Sequence, residues 1–567
     1  MNILSISCFY HDAAAALFVD GDLVAAAEEE RFSRKKHDNG FPHKAVGFCL
    51  DRAGLTIADI DHIGFYEKPF LKLERILLTD IATFPRSFGP FMRAIPFWLR
   101  ERLHVPDIIE REIGWGRKQG KRPLFIEHHL AHAASCFLVS PFDEAAILTV
   151  DGVGEWATTT AGVGRGNTIS LDREIRFPHS LGLLYSAMTA HLGFRVNNGE
   201  GKVMGLAAYG EPKYLDAMRR VARVLPDGSF HLDMRYFAYH HAMRMTNRRW
   251  RKLFGPPRKA DGELTQHHYD QAASLQAFLE EAMLTAANAL YERTKIANLC
   301  LAGGVSLNCI ANGRIIRETP FDRVFVQPGA GDSGTAVGVA AYIQACILGG
   351  ERRYVMENAY LGPDFADGDV EAALKEQGVP YRRLPEPDLY RFTAEQLKAG
   401  RIVGWFQGRM EFGPRALGNR SILANPCLPD MKDVLNYRVK HREPFRPFAP
   451  SALAEEAPRY FDLPVESPYM LLAAPVHPDK RDVVPAITHV DGTARLQTVT
   501  EAQNPRYYNL IAEFGRQTGV PVVLNTSFNV RGEPIVCTPA DALACFLRTD
   551  MDFLVMHDFG VDKRETK

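Results

Sequence analysis

One strand–turn–strand pattern occurs twice in this chain, and it rules out most architectures. Near the N-terminus the residues read NILSISCF, YHDA, AAALFV, DG and DLVAAAEEE. Residues 145–171 repeat the sense of it, as AAILTV, DGVGEW, ATTTAGV, GRGN and TISL. Each copy is a strand, an aspartate-bearing turn, a second strand, a tight turn and a third strand. Asp20-Gly21 is a two-residue hairpin signal in its own right. Such repetition predicts a duplicated domain whose halves face each other across a cleft. Each half then offers an aspartate turn, at Asp12 and at Asp151, where a ligand phosphate can approach.

Two glycine-rich turns extend this reading. NLCLAGGVSLNC is a buried strand, Gly303-Gly304 and a helix start, and RVFVQPGAGDSGTAVGVAAYI is a strand, a loop with Gly329, Gly331 and Asp332, and a small-residue helix. Glycines ahead of a helix let backbone N–H groups come close to phosphate or ribose. With the duplicated hairpins they predict an α/β domain of actin/hexokinase/Hsp70-like nucleotide-binding architecture over residues 1–350. The chain has 567 residues, more than the roughly 250–300 that one core organises. A linker is expected near residues 350–360, followed by a smaller mixed α/β domain over 361–567 in which helix and strand signals alternate.

Composition narrows the function classes. Net charge is −1, which excludes a global field for nucleic acid or membrane. Nine scattered cysteines without a CxxC pair predict reduced thiols and a cytoplasmic protein. No signal-like segment opens the chain, and no apolar run is long enough to span a bilayer. The nearest, FGPFMRAIPFWLRERL, is broken by Arg93 and Pro96 and predicts an amphipathic insertion or a lid beside a pocket.

Two clusters carry chemistry. In FIEHHLAHAAS a short strand runs into an alanine-rich helix, and His128 and His132 share one helical face at i, i+4. That is a metal-ligand geometry, and equally the pattern of a helix with two surface histidines; the choice depends on whether carboxylates reach the same point. Asp151 and Asp332, both after strands, are the candidates. Asp151 also suits a turn before Gly152, and Asp332 a helix cap. Together, two imidazoles and two carboxylates suit iron(II), manganese or zinc better than calcium or magnesium. In the second domain, GRMEFGPRALGNRSILANP and YRVKHREPFRPFAPS hold Arg409, Arg415, Arg420, Lys440, Arg442 and Arg446. Guanidinium forks bind phosphate in pairs of hydrogen bonds, so these residues predict a small polyanionic ligand, with RNA or a solvated charged surface as the other readings.

YHDAAAAL, EEERFSRKKH, EHHLAHAAS, NNGEGKVMGLAAYG, GGVSLNC, EFGPRALGNRSILANP, KHREPFRPFAPS and LNTSFNVRGEPIV together resemble the NodU/TobZ/CmcH family of O-carbamoyltransferases over essentially the whole chain. The resemblance implies a TsaD-like carbamoyl-transfer domain and a YrdC-like domain that makes carbamoyl-adenylate from carbamoyl phosphate and ATP with magnesium. It implies iron(II), or another divalent metal, on His128, His132, Asp151 and Asp332. It implies an adenylate contact at Gly304 and Asn308, and a carbamoyl-phosphate and ATP site at Arg415, Lys440, Arg446, Arg495 and Asn525. His11 or Asp12 is the expected base for the acceptor. That acceptor is expected to be a hydroxylated small molecule, a sugar or natural product as in antibiotic biosynthesis, with no nucleic-acid or membrane partner; a homodimer is left open. A sugar kinase of the same architecture and a tRNA-modification protein are the alternatives.

Overall fold

The computed structural model describes residues 1–100 and 102–566. The chain separates into two compact units. The first holds residues 1–26 and 39–356; the second holds 27–38 together with the chain from Glu357 onward.

The first unit contains two five-stranded sheets with the same strand plan. One is built from β1 (Asn2–Ser7), β2 (Ala14–Val19), β3 (Asp22–Glu28), β4 (His62–Phe65) and β5 (Leu124–Phe125), in the order β3-β2-β1-β4-β5. The other contains β6 (Glu144–Val150), β7 (Ala157–Arg165) and β8 (Thr168–Arg176). After a small hairpin of β9 (Ala222–Val224) and β10 (Phe230–Leu232), it is completed by β11 (Asn298–Ala302) and β12 (Arg323–Val326), in the order β12-β11-β6-β7-β8. β1 pairs antiparallel with β2 and parallel with β4, and β6 likewise pairs antiparallel with β7 and parallel with β11. The hairpin pattern seen twice in the sequence is therefore a true duplication, the actin/hexokinase-like arrangement.

Helices His128–Phe137 and Asp332–Tyr342 pack directly against each other. The second is almost all Ala, Gly, Ser, Thr and Val and is buried along nearly its whole length. A Cβ at Gly338 would lie 2.0 Å from the Ala131 carbonyl oxygen, so only glycine allows this approach. The close packing brings the starts of the two helices together, and that is where the histidines and Asp332 lie.

The second unit is a nine-stranded mixed sheet. Its strands are β13 (Arg382–Arg383), β14 (Val403–Phe406), β15 (Arg420–Ala424), β16 (Ala449–Leu453), β17 (Leu472–Pro475), β18 (Thr493–Val499), β19 (Val522–Ser527), β20 (Phe553–Met556) and β21 (Phe559–Asp562), in the order β13-β21-β20-β14-β15-β19-β16-β18-β17. Helices Asp388–Lys398 and Pro505–Thr518 cover one face, where Leu389, Leu397, Leu510 and Phe514 share a core with Trp405 of β14.

Residues 27–38 were placed with the first 350 by the sequence reading, yet they pack on this second unit. The Gly413 N–H donates to Glu28 Oε1 at 2.8 Å, and Arg31 donates to the Gly413 carbonyl at 2.8 Å. Arg34 donates to the carbonyls of Ile535 (2.5 Å) and Pro534 (3.1 Å). Phe32 packs beside Met410, Ile535 and Cys537. The charges of EEERFSRKKH are thus spent largely inside a fold. No described helix is long and apolar enough to cross a membrane.

Candidate functional site

In the first unit His128, His132, Asp151 and Asp332 converge, and all four are buried. The imidazoles come from one helix face; Asp151 follows β6, and Asp332 opens its helix. His128 Nε2 lies 3.1 Å from His132 Nε2, 3.2 Å from Asp151 Oδ2 and 3.7 Å from Asp332 Oδ1; His132 Nε2 is also 3.7 Å from Asp332 Oδ1. A divalent ion about 2.0–2.2 Å from each donor spaces neighbouring donors roughly 3.0–3.5 Å apart. The four donor atoms lie within 4.8 Å of one another, with these separations close to that spacing, and this N₂O₂ set fits a borderline transition metal. The surface-histidine reading fails, because His128 and His132 are 3% and 0% exposed.

The electrostatics follow from this crowding. Burial opposes charge on His128, but its hydrogen bond to Asp151 and the nearby Asp332 charge outweigh it and raise its pKa to about 9. Asp151 and Asp332 are held below the usual carboxylate range by the histidines, against the opposing effect of burial. His129 points the other way. Its Nδ1 bonds the Thr149 hydroxyl at 2.6 Å, and burial together with its two histidine neighbours pushes its pKa down to about 3.

Neighbouring residues fix the cluster. Glu155, not singled out from the sequence, accepts the His128 N–H with both oxygens at 3.1 Å and so caps the ligand helix. Its only sequence signal was its place in the second aspartate turn, DGVGEW. The Tyr66 ring stands edge-on to His128 at 5.6 Å. The Gly304 N–H donates to Asp151 Oδ1 at 2.8 Å, and Gly303 adopts φ 93°, where a Cβ would lie 2.3 Å from the Val150 carbonyl oxygen. Asn308 caps its own helix through Ala311 and pairs with Gln276 at 2.9 and 3.1 Å. His11 Nδ1 lies 2.9 Å from Asp12, and its Nε2 lies 3.7 Å from Asp332. Burial lowers the His11 pKa, but Asp332 and Asp12 more than reverse this and hold it near 9.

In the second unit a cluster of cations gathers. Arg442 feels Arg446 and Arg495, Lys440 feels Arg442, Arg446 and Lys36, and Glu443 acts on Arg446 as the opposing charge. Burial first, then this mutual repulsion, pulls the pKa values of Lys440 and Arg442 well down. Lys36 enters from the 27–38 segment. Arg442 bonds Asn436 Oδ1 at 2.8 Å and stacks on Phe448. Lys440 Nζ is caught by the carbonyls of Ser527 and Asn529. Asn525 donates to Ser451 Oγ and Gln497 Oε1, both at 3.1 Å, and its own Oδ1 is buried without a partner.

The arginine-rich loop divides by role. Arg409 donates to the carbonyls of Leu361 and Gly362, and fully buried Arg420 to those of Gln407, Gly408, Asn419 and Pro363. Those two arginines hold backbone, contrary to the reading of the whole loop as an anion cradle. Glu411 shapes the loop by accepting the N–H groups of Leu417 (2.7 Å), Asn419 (2.8 Å) and Arg420 (3.1 Å).

The chain thus carries a buried donor set that could hold a cation and, in its second unit, a cluster of cations around buried Lys440. Known families make the class specific. The pattern described as Carbamoyltransferase N-terminus matches residues 2–341, and Carbamoyltransferase C-terminus matches 394–563. The chain belongs to the carbamoyltransferase family and is a carbamoyltransferase. It is 48% identical to an uncharacterized protein of Synechocystis sp., over 99% of this chain and 97% of that one. It is 39% identical to nodulation protein NolNO of Sinorhizobium fredii, over 98% of this chain and 79% of that one. It is 40% identical to nodulation protein NolO of Bradyrhizobium diazoefficiens, over 77% of this chain and 79% of that one.

Proposed function

We propose that the chain is an ATP-dependent O-carbamoyltransferase with one reaction step in each unit. In the second unit water releases phosphate from carbamoyl phosphate, and the carbamate oxygen attacks the α-phosphorus of ATP, giving carbamoyl-adenylate and pyrophosphate. Arg415, Lys440, Arg446, Arg495 and Asn525 bind and neutralise the phosphates there, with magnesium accompanying ATP. In the first unit the carbamoyl group passes to a hydroxyl of a small molecule, a sugar or another natural product, and AMP leaves. His128, His132, Asp151 and Asp332 would hold iron(II) or a similar ion, which supplies Lewis acidity. Gly304 and Asn308 line the adenylate side, and His11 or Asp12, paired at 2.9 Å, takes the hydroxyl proton. Burial of the donor cluster in the first unit keeps water from the carbamoyl group there.

The observation that carries this reading is the separation of chemistries: the metal-type donor set belongs to one unit and the phosphate-type cations to the other. Nine scattered cysteines without a CxxC pair support a reducing, cytoplasmic setting. The test is the nucleotide product with ATP and carbamoyl phosphate. AMP and pyrophosphate are expected, whereas ADP as the main product would refute the reading in favour of a kinase.

A further inference from the structure

The helix Pro69–Thr83 has two unlike faces. One exposes Phe70 and Ile81, at 71% and 73%. The other carries Lys72 and Arg75, an i, i+3 pair. Arg75 is only 8% exposed, and arginines are almost never this buried unless paired. Yet among the described residues Arg75 has no carboxylate within 4 Å, and its Nε, cut off from water, has no hydrogen-bond partner. Its guanidinium lies 4.9 Å from the Phe177 ring centroid.

The charges that act on Arg75 are those of Tyr10, Glu67 and Glu155. Both acids are committed elsewhere: Glu67 pairs with Lys72 at 2.5 Å, and Glu155 accepts the N–H groups of Lys68 and His128. Tyr10 links this cation to the metal-type cluster. It responds to Arg75 on one hand and to Asp332 and Asp151 on the other. Lys72 Nζ stands 5.1 Å from its ring centroid, and the His11 ring is 4.8 Å away. Burial brings the Arg75 pKa down to about 10, so the group remains a cation at neutral pH.

We propose that Arg75 anchors the phosphate of the adenylate at the first-unit site and neutralises AMP as it leaves. This rests on the carbamoyl-adenylate reading. In the transfer step the acceptor oxygen bonds the carbamoyl carbon, and the bond from that carbon to the phosphate oxygen breaks. The electron pair stays on the phosphate, and the hydroxyl proton goes to the base at the Tyr10–Asp12 turn. The phosphate thereby gains a negative charge beside a dry, planar fork with donors to spare. An interaction that strengthens as the charge develops accelerates the step rather than merely binding the substrate.

The test uses AMP as the probe and the full-length, metal-loaded chain, with Arg446→Ala as the background so that second-unit binding is suppressed. Calorimetry should show AMP binding weakened about 10- to 100-fold by Arg75→Gln, the loss of one charge-assisted contact, with Arg75→Lys between. Adenosine, which lacks the phosphate, should bind all variants alike, and metal content should not change. Unaltered AMP affinity in Arg75→Gln, or an equal loss for adenosine, overturns the proposal. Pyrophosphate release by the wild-type chain tests the function separately. If none appears but AMP binding depends on Arg75, the adenylate chemistry falls and the anion site stands. If release is normal and AMP binding ignores Arg75, only the assignment falls.

Discussion

The two clusters have opposite sign and are held in opposite ways. In the first unit the donors touch one another, with nitrogen and oxygen atoms 3.1–3.7 Å apart. Helix packing sets those distances, through residues as small as Gly338. In the second unit like charges are gathered but tethered: Lys440 to carbonyls, Arg442 to Asn436 and Phe448. The contrast is physical. A donor set around a small cation can be preformed because histidine protons stand in for part of the missing charge. Cations that await a phosphate repel one another in low dielectric, so the fold must anchor each one until the anion arrives.

If the contrast is right, the largest effects come from the first cluster and leave the second untouched. Asp332→Ala or His132→Ala should lose bound metal and abolish carbamoyl transfer, while carbamoyl-phosphate-dependent pyrophosphate release continues. Elemental analysis and a pyrophosphate assay on the same preparation check this; full metal content in both variants would break the assignment. In the second cluster, Arg446→Ala and Arg415→Ala should each weaken phosphate-ligand binding about 10- to 100-fold with metal content unchanged. Lysine at either position should restore only part, since a point charge cannot reproduce the fork. Normal pyrophosphate release in both alanine variants would show that these arginines are surface charges.

How much of this was legible varies with how local the cause is. The paired hairpins were readable because Asp20-Gly21 and the repeated aspartate turns fix short-range geometry. The His128/His132 face was readable from helical periodicity alone. Glu155 was not, because one glutamate in a turn gives no sign that it will cap a helix 27 residues earlier in the chain. Nor could the loop arginines be sorted: Arg420 and Arg415 look alike in sequence, and only the carbonyls around Arg420 show that it serves the backbone. The path of residues 27–38 was hidden for the same reason. A run of charges reads as a solvated surface unless the partners, hundreds of residues away, are known.

Histidines facing away from the ligand set sharpen the comparison through pH. The folded pKa of His129 is depressed to about 3, below its unfolded value near 6.5. The unfolded chain therefore binds more protons between those values. The neutral, buried ring adds stability above pH 6.5 that is lost as pH falls toward 3. At about 1.36 kcal/mol per pH unit, the first unit should lose roughly 2–3 kcal/mol between pH 7 and 4.5 from this residue. His129→Gln should show a shallower acid slope in thermal unfolding. An identical slope would mean that burial and the neighbouring histidines do not hold the ring neutral.

The smallest effect is the most local, and it tests which unit owns the N-terminal excursion. Arg34 bonds the carbonyls of Ile535 and Pro534 and stands 3.5 Å from Asp541. Its side chain is 29% exposed, so water screens part of the interaction. Arg34→Ala should cost about 1–2 kcal/mol, felt only where the segment docks. Hydrogen exchange should quicken in residues 28–38 and 534–541, because both strands of the contact lose the same anchor. Metal content should stay at the wild-type level, since the donor cluster shares no side chain with this contact. Exchange that quickens around His128–His132 instead would tie the excursion to the first unit. Its basic residues, Lys36 among them, would then not belong to the cation cluster of the second.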